Sequence, residues 1–82
     1  MKEMTRVLKL SAPWCGPCKQ MDAQLDRLKM IVEHIDLDVD PVAGSLYKPR
    51  GIPTLVKLDD AGAEIGRLIG AQSDKNLLAF FQ

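Results

Sequence analysis

The chain has 82 residues, 46% of them hydrophobic, and its 11 basic and 11 acidic side chains give a formal net charge of zero. This length suits a single domain, residues 1–82, and the hydrophobic fraction suffices for a compact core. Balanced charge argues against nucleic acid or an anionic membrane as the partner, because either would call for a basic excess.

The first half of the chain predicts a strand, a helix and a second strand. An apolar segment, Val7–Leu10, comes before a Ser-Ala-Pro break and is typical of a strand. From Pro17 to about Val32, apolar residues recur every three or four positions, which places them on one face of a helix. In residues 35–39, apolar side chains alternate with aspartates, the period of a strand, and Pro41 ends the segment.

The second half predicts a hairpin and a last helix. We expect an irregular stretch with one helical turn in residues 42–50, a strand in 54–58, a turn in 59–62 and a strand in 64–69. A capped helix should then begin at Ser73 or Asp74. The predicted fold class is α/β, with the order β-α-β-(short turn or helix)-β-β-α. Its sheet has four strands and is mixed, because a βαβ crossover gives parallel strands and a hairpin adds antiparallel ones.

Two cysteines, Cys15 and Cys18, lie between the first predicted strand and the first predicted helix. A thiol in the first helical turn meets unpaired backbone N–H groups and the positive end of the helix dipole, which lower the pKa of Cys15 and make it a nucleophile. Cys18 follows one turn later on the same side, where it can attack a mixed disulfide at Cys15 and release the reduced partner. The pair therefore predicts dithiol–disulfide exchange with no separate cofactor.

Two structural uses of the cysteine pair are disfavoured. A structural zinc ion takes four ligands, whereas the chain offers the two cysteines and His34. A permanent disulfide that closes so short a loop would constrain the unfolded chain little. We therefore predict a redox pair and no metal site.

Three short motifs point to one known family. They are Trp14-Cys15-Gly16-Pro17-Cys18-Lys19, Arg50-Gly51-Ile52-Pro53-Thr54 and Gly70-Ala71. The first resembles the active-site signature of thioredoxins, the second their loop with a cis-proline opposite the cysteines, and the third the small residues of their docking patch. The resemblance implies a minimal thioredoxin-like fold, without the family's usual first strand and helix, and the activity of a protein disulfide reductase.

The resemblance also implies a small apolar docking patch around the cysteines, formed by Trp14, Gly16, Pro17, Gly51, Ile52, Pro53, Gly70 and Ala71. A cis bond is feasible before proline, and here it would free the backbone of Ile52 to pair with an extended substrate segment. The alternative for Pro53 is that it only begins a strand. For Trp14 the two interpretations are a shield over the reactive thiolate and an ordinary packing residue.

One pair of charges departs from the family pattern. The family has a buried carboxylate six residues before the first cysteine, and often a lysine across from it on the next strand. Here these positions are Lys9 and Asp36, so the charges are exchanged. We expect either an ion pair beneath the dithiol, with Lys9 favouring the Cys18 thiolate and Asp36 accepting its proton, or two solvated side chains without a catalytic role.

The expected partners are disulfide-containing proteins. The resemblance implies a flavin-dependent thioredoxin reductase as electron donor and ribonucleotide reductase among the acceptors. The alternative is a glutaredoxin-like protein reduced by glutathione. The short chain and Ser73-Asp74 favour this alternative, whereas Gly16-Pro17 between the cysteines disfavours it. A third hypothesis is a non-catalytic binding module. We expect a monomer in the cytoplasm, since no apolar run spans a bilayer and the charged N-terminus does not resemble a secretory signal.

Overall fold

The computed structural model describes residues 5–82. In this range the elements are, in chain order, β1 (Arg6–Ser11), α1 (Gly16–Arg27), β2 (Glu33–Asp36), α2 (Pro41–Tyr47), β3 (Thr54–Leu58), β4 (Glu64–Ile69) and α3 (Asp74–Phe80). The predicted α/β class and element order are confirmed, and the helical turn expected within residues 42–50 is helix α2. None of the helices in the described range is both long and apolar enough to cross a bilayer.

The four strands form one mixed sheet in the order β2-β1-β3-β4. Strands β1 and β2 are parallel and joined through α1, as the βαβ prediction requires. Strand β3 runs antiparallel to both β1 and β4. Because Leu10 pairs with Thr54, the end of β1 and the start of β3 lie at the same edge of the sheet. The segment that carries the cysteines leaves the sheet at this edge.

Alternate residues of the central strands supply two hydrophobic clusters, one on each face of the sheet. Helices α1 and α3 cover the first face, where the buried cluster consists of Val7, Met21, Leu25, Leu55 and Leu77. The second face carries Leu8, Leu10, Val56 and Leu58. Ile35 of β2, Leu37 of the turn after it and Tyr47 of α2 pack against them. Lys9 of β1 lies on the first face, directed toward α1.

Helix α1 is shorter than its apolar periodicity predicted. It ends at Arg27, and Lys29 adopts a left-handed conformation with φ of 58°. The N–H of Lys29 donates to the Asp26 carbonyl and that of Met30 to the Leu25 carbonyl, the pattern of a Schellman cap. The extension of the helix to Val32 was therefore wrong, although Val32 still packs against the core from outside the helix.

Strand β2 also differs from its prediction, because it ends at Asp36 and not near Val39. The Asp36 carboxylate accepts the N–H of Asp38 at 2.9 Å, and the Asp36 carbonyl accepts those of Val39 and Asp40. An aspartate that bonds to the backbone two residues later favours a turn over a strand. The alternation of apolar residues with aspartates was thus a misleading signal.

Side chains of α1 hold the start of α3 against it. Ser73 caps α3 by accepting the N–H of Asn76 at 3.1 Å. Arg27 and Gln24 both donate to the Asp74 carboxylate at 3.0 Å. These hydrogen bonds, the one from Arg27 first, hold the pKa of Asp74 below its usual range. Because the ion pair is solvent-exposed, it contributes little to stability, and the buried face of α3 contributes more.

Candidate redox site

The two cysteines form a disulfide at the start of α1, with their Cα atoms 5.3 Å apart. Cys15 is the N-cap of the helix, and its Sγ accepts a hydrogen bond from the backbone N–H of Cys18 at 3.2 Å. This contact satisfies one of the N–H groups that a helix leaves unpaired at its start. If the backbone keeps this conformation on reduction, the same donor and the helix dipole would stabilise negative charge on the Cys15 sulfur.

The residues around the disulfide differ sharply in exposure. Cys15 and Cys18 are 4% and 2% exposed, whereas Gly16 and Pro17 between them face solvent. Trp14 is 72% exposed, and its Nε1–H donates to the Asp38 carboxylate at 3.2 Å. The interpretation of Trp14 as an ordinary packing residue was therefore wrong. Its indole lies on the surface, attached to the turn that follows β2.

The loop before β3 lies at the same edge of the sheet as the disulfide. The Ile52–Pro53 peptide bond is cis, as the resemblance implied, and Pro53 is buried. Thr54 begins β3, and its hydroxyl donates to the Gly51 carbonyl at 2.5 Å. Ile52 is half-buried and Gly51 is exposed, so this loop presents backbone and a small apolar surface to solvent.

Gly70 and Ala71 adjoin that loop. The N–H of Gly70 donates to the Pro53 carbonyl at 2.8 Å. Gly70 has a φ of 79°, a conformation that a residue with a side chain adopts only with strain, so its glycine is a conformational requirement. The structure thus places 51–53 and 70–71 side by side, and the register of β1 with β3 brings them to the edge that holds 14–18.

The predicted ion pair between Lys9 and Asp36 is not formed. Lys9 is 1% exposed, and its Nζ lies 2.8 Å from Oδ1 of Asp22 on α1. A buried ammonium needs a close counter-charge, and the helix that covers β1 supplies it. Asp36 lies at the end of β2, opposite Ser11 of β1 in the strand register. Its carboxylate accepts the N–H of Asp38 in the turn that follows. The alternative in which Lys9 is solvated was also wrong.

Lys9, Asp22 and Asp36 nevertheless share a solvent-connected cavity of about 350 Å³ beside Cys18. Its wall consists of Lys9, Ser11, Ala12, Pro13, Cys18, Lys19, Asp22, His34 and Asp36. His34 Nδ1 lies 3.8 Å from the same Asp22 oxygen that Lys9 contacts. The cavity therefore brings together charged groups from β1, α1 and β2 next to the buried sulfur.

Asp22 is the site residue that the sequence analysis missed. It lies four residues after Cys18, and on a helix this spacing puts two side chains on the same face. A lysine on the strand before the helix, directed at that face, was the second signal. These two signals identify Asp22 only once the face of the sheet that α1 covers is known, and the structure shows that face.

Comparison with known proteins agrees with this architecture. A family model described as Thioredoxin matches residues 1–82. The SPbeta prophage-derived thioredoxin-like protein YosR of Bacillus subtilis is 31% identical over 65 residues, which are 79% of this chain and 81% of that protein. The thioredoxin of Chlamydia trachomatis is 33% identical over 72 residues, 82% of this chain and 70% of that protein.

Among solved structures, the germline-specific thioredoxin Deadhead of Drosophila melanogaster has a TM-score of 0.82 and 30% identity. The match covers 94% of this chain and 77% of Deadhead. Thioredoxins reduce the disulfides of protein substrates through a C-x-x-C pair, and this chain has that pair, disulfide-bonded, in the same fold. The chain belongs to the thioredoxin family and is a thiol–disulfide oxidoreductase.

Proposed function

We propose that Cys15 is the attacking sulfur and Cys18 the resolving sulfur in the reduction of protein disulfides. The observation that carries this assignment is the hydrogen bond from the Cys18 N–H to the Cys15 Sγ at the N-cap of α1. Only the first cysteine receives this stabilisation of its anion. Cys18 lies inside the first turn and is not the N-cap, so it serves better as the thiol that acts second.

The proposed reaction proceeds by two displacements. The Cys15 thiolate attacks one sulfur of the substrate disulfide, forms a mixed disulfide and expels the other substrate sulfur as a thiolate, which takes a proton from water. Cys18 then loses its proton and attacks the Cys15 sulfur, which breaks the mixed disulfide and releases the second substrate thiolate. Two electrons pass from the dithiol to the substrate, and Cys15–Cys18 is left oxidised.

We further propose that the edge around the disulfide is the docking surface, formed by Trp14, Gly16, Pro17, Gly51, Ile52, Pro53, Gly70 and Ala71. No intrachain hydrogen bond to the Ile52 backbone is found within residues 5–82, which leaves it free to pair with an extended substrate segment. Gly51, Gly70 and Ala71 have no large side chains that would block this approach. The exposed Trp14 indole would supply apolar contact beside the sulfurs.

The proposed electron donor is a flavin-dependent thioredoxin reductase, and ribonucleotide reductase is a proposed acceptor. Membership of the thioredoxin family supports both. For the glutathione alternative, the sequence offered Ser73 and Asp74, but Ser73 caps α3 and Asp74 is bonded to Arg27 and Gln24. The proposal also places the chain in the reducing cytoplasm, as a monomer that acts as one domain over residues 1–82.

Insulin reduction with alternative donors tests this assignment. We expect turnover with thioredoxin reductase and NADPH to exceed turnover with glutathione, glutathione reductase and NADPH by at least about tenfold. This factor corresponds to about 1.4 kcal/mol of difference in recognition between the two donors. Dithiothreitol as a small-molecule donor is the control that reports activity independent of recognition. Faster turnover with glutathione would assign the chain to the glutaredoxin-like alternative.

A further inference from the structure

Charged side chains line the cavity beside Cys18, and they have no role in the two displacements as described. Resolution requires a thiolate, yet Cys18 is 2% exposed and does not receive the N-cap hydrogen bond that stabilises Cys15. Its proton therefore needs an acceptor that connects the interior with solvent. The cavity beside the sulfur, with its volume of about 350 Å³, has room for several water molecules.

We propose that Asp22 accepts the proton of Cys18 during resolution and that Lys9 positions the carboxylate, a step that rests on the function proposed above. Asp22 lies one turn after Cys18 on α1, and both side chains line the cavity. At this spacing a water in the cavity can bridge thiol and carboxylate. Asp22 has one oxygen buried and a side chain 45% exposed, so it connects the buried sulfur with bulk water.

The contacts of Asp22 leave it able to accept a proton. Its Oδ1 forms an ion pair with Lys9 Nζ at 2.8 Å, and within residues 5–82 no other group donates a hydrogen bond to that oxygen. The lysine therefore fixes the carboxylate through charge while lone pairs stay available. The buried ammonium also stabilises negative charge on Cys18 as the proton leaves.

Other groups that face the cavity are less suited to this step. The charged and titratable side chains there, besides Lys9 and Asp22, are Lys19 of α1 and His34 and Asp36 of β2. The Asp36 carboxylate already accepts the N–H of Asp38. His34 contacts Asp22 at 3.8 Å with a side chain 62% exposed, which suits the onward transfer of the proton to solvent.

The proton and electron balance of the step is simple. Cys18 gives its proton to the Asp22 carboxylate, and the resulting thiolate attacks the Cys15 sulfur of the mixed disulfide. The S–S bond to the substrate breaks, and its electron pair leaves on the substrate sulfur. The carboxylic acid then returns the proton to that thiolate or to solvent, and Asp22 is again ionised.

Rapid mixing of the reduced protein with a disulfide substrate tests the proposal, because formation and resolution of the mixed disulfide are separate phases. In Asp22→Asn we expect resolution near neutral pH to slow by about 10²-fold, the usual contribution of a positioned proton acceptor. Formation should stay within about twofold of wild type, since Cys15 keeps its helix N-cap. The deficit should shrink as pH rises, because hydroxide and buffer replace the lost carboxylate.

Asp26→Asn is the matched control, because Asp26 lies on the same helix, is exposed, and loses the same charge. It should resolve at the wild-type rate, and Asp22→Glu should recover most of the rate that Asp22→Asn loses. A deficit in Asp22→Asn of equal size at every pH, or no deficit, would overturn the proposal. Failure of the wild type to form any mixed disulfide would instead contradict the function proposed above.

Discussion

Replacing Cys18 by serine should convert the protein from a catalyst into a trap for its substrates. In Cys18→Ser, Cys15 keeps the backbone N–H that donates to its sulfur, so the first displacement proceeds. Without the second thiol the mixed disulfide persists, and steady-state insulin reduction should fall by at least about 10³-fold, as for other enzymes that lose an essential group. Mass spectrometry should find substrate disulfide-bonded to Cys15.

Cys15→Ser is the paired variant that separates the two roles. It should lose the same activity but accumulate no substrate adduct, because Cys18 is not the N-cap and does not receive the hydrogen bond that stabilises the Cys15 anion. If Cys15→Ser trapped substrate and Cys18→Ser did not, the two roles would be reversed. Both variants should unfold at similar denaturant concentrations under reducing conditions, since cysteine and serine differ little in size.

Shortening Leu77 to alanine should cause a large loss of stability. Leu77 is fully buried, and its side chain joins α3 to the cluster formed by Val7, Met21, Leu25 and Leu55. Removing a buried leucine side chain costs about 2–5 kcal/mol, which is a large part of the stability of a small domain. We expect the free energy of unfolding of Leu77→Ala, measured in urea, to fall by that amount.

Leu78→Ala provides a matched control on the same helix. Leu78 is the next residue and 43% exposed, so its truncation changes helix propensity equally but removes less buried surface. We expect it to cost under about 1 kcal/mol. Equal losses in the two variants would mean that α3 does not pack against the sheet through the Leu77 face.

The features that the sequence predicted correctly are those that local patterns determine. The order of strands and helices follows from hydrophobic periodicity, and the hairpin turn follows from Asp59, whose carboxylate accepts the N–H groups of Ala61 and Ala63. Gly62, at a φ of 87°, completes this turn. The pairing of Cys15 with Cys18 is equally local, because three residues at a helix start bring two thiols into bonding distance.

The features that the sequence analysis missed depend on tertiary position. The partner of Lys9 is set by which face of α1 covers β1, whereas the resemblance to the family pointed to Asp36 and not to Asp22. The early end of α1 depends on a left-handed residue, Lys29, where a glycine would have given the usual signal. In both cases the outcome depends on the three-dimensional path of the backbone, which local sequence patterns do not determine.

The pH at which Cys15 becomes reactive is the most direct test of the account. In reduced Cys18→Ser, where Cys15 is the one thiol, the alkylation rate with iodoacetamide should reach half its maximum at least one unit below about 8.5, the ordinary thiol pKa. Denaturant, which removes the helix and its N–H donor, should return the midpoint to that value. A folded protein whose Cys15 reacts with a midpoint at or above the denatured value would contradict the account.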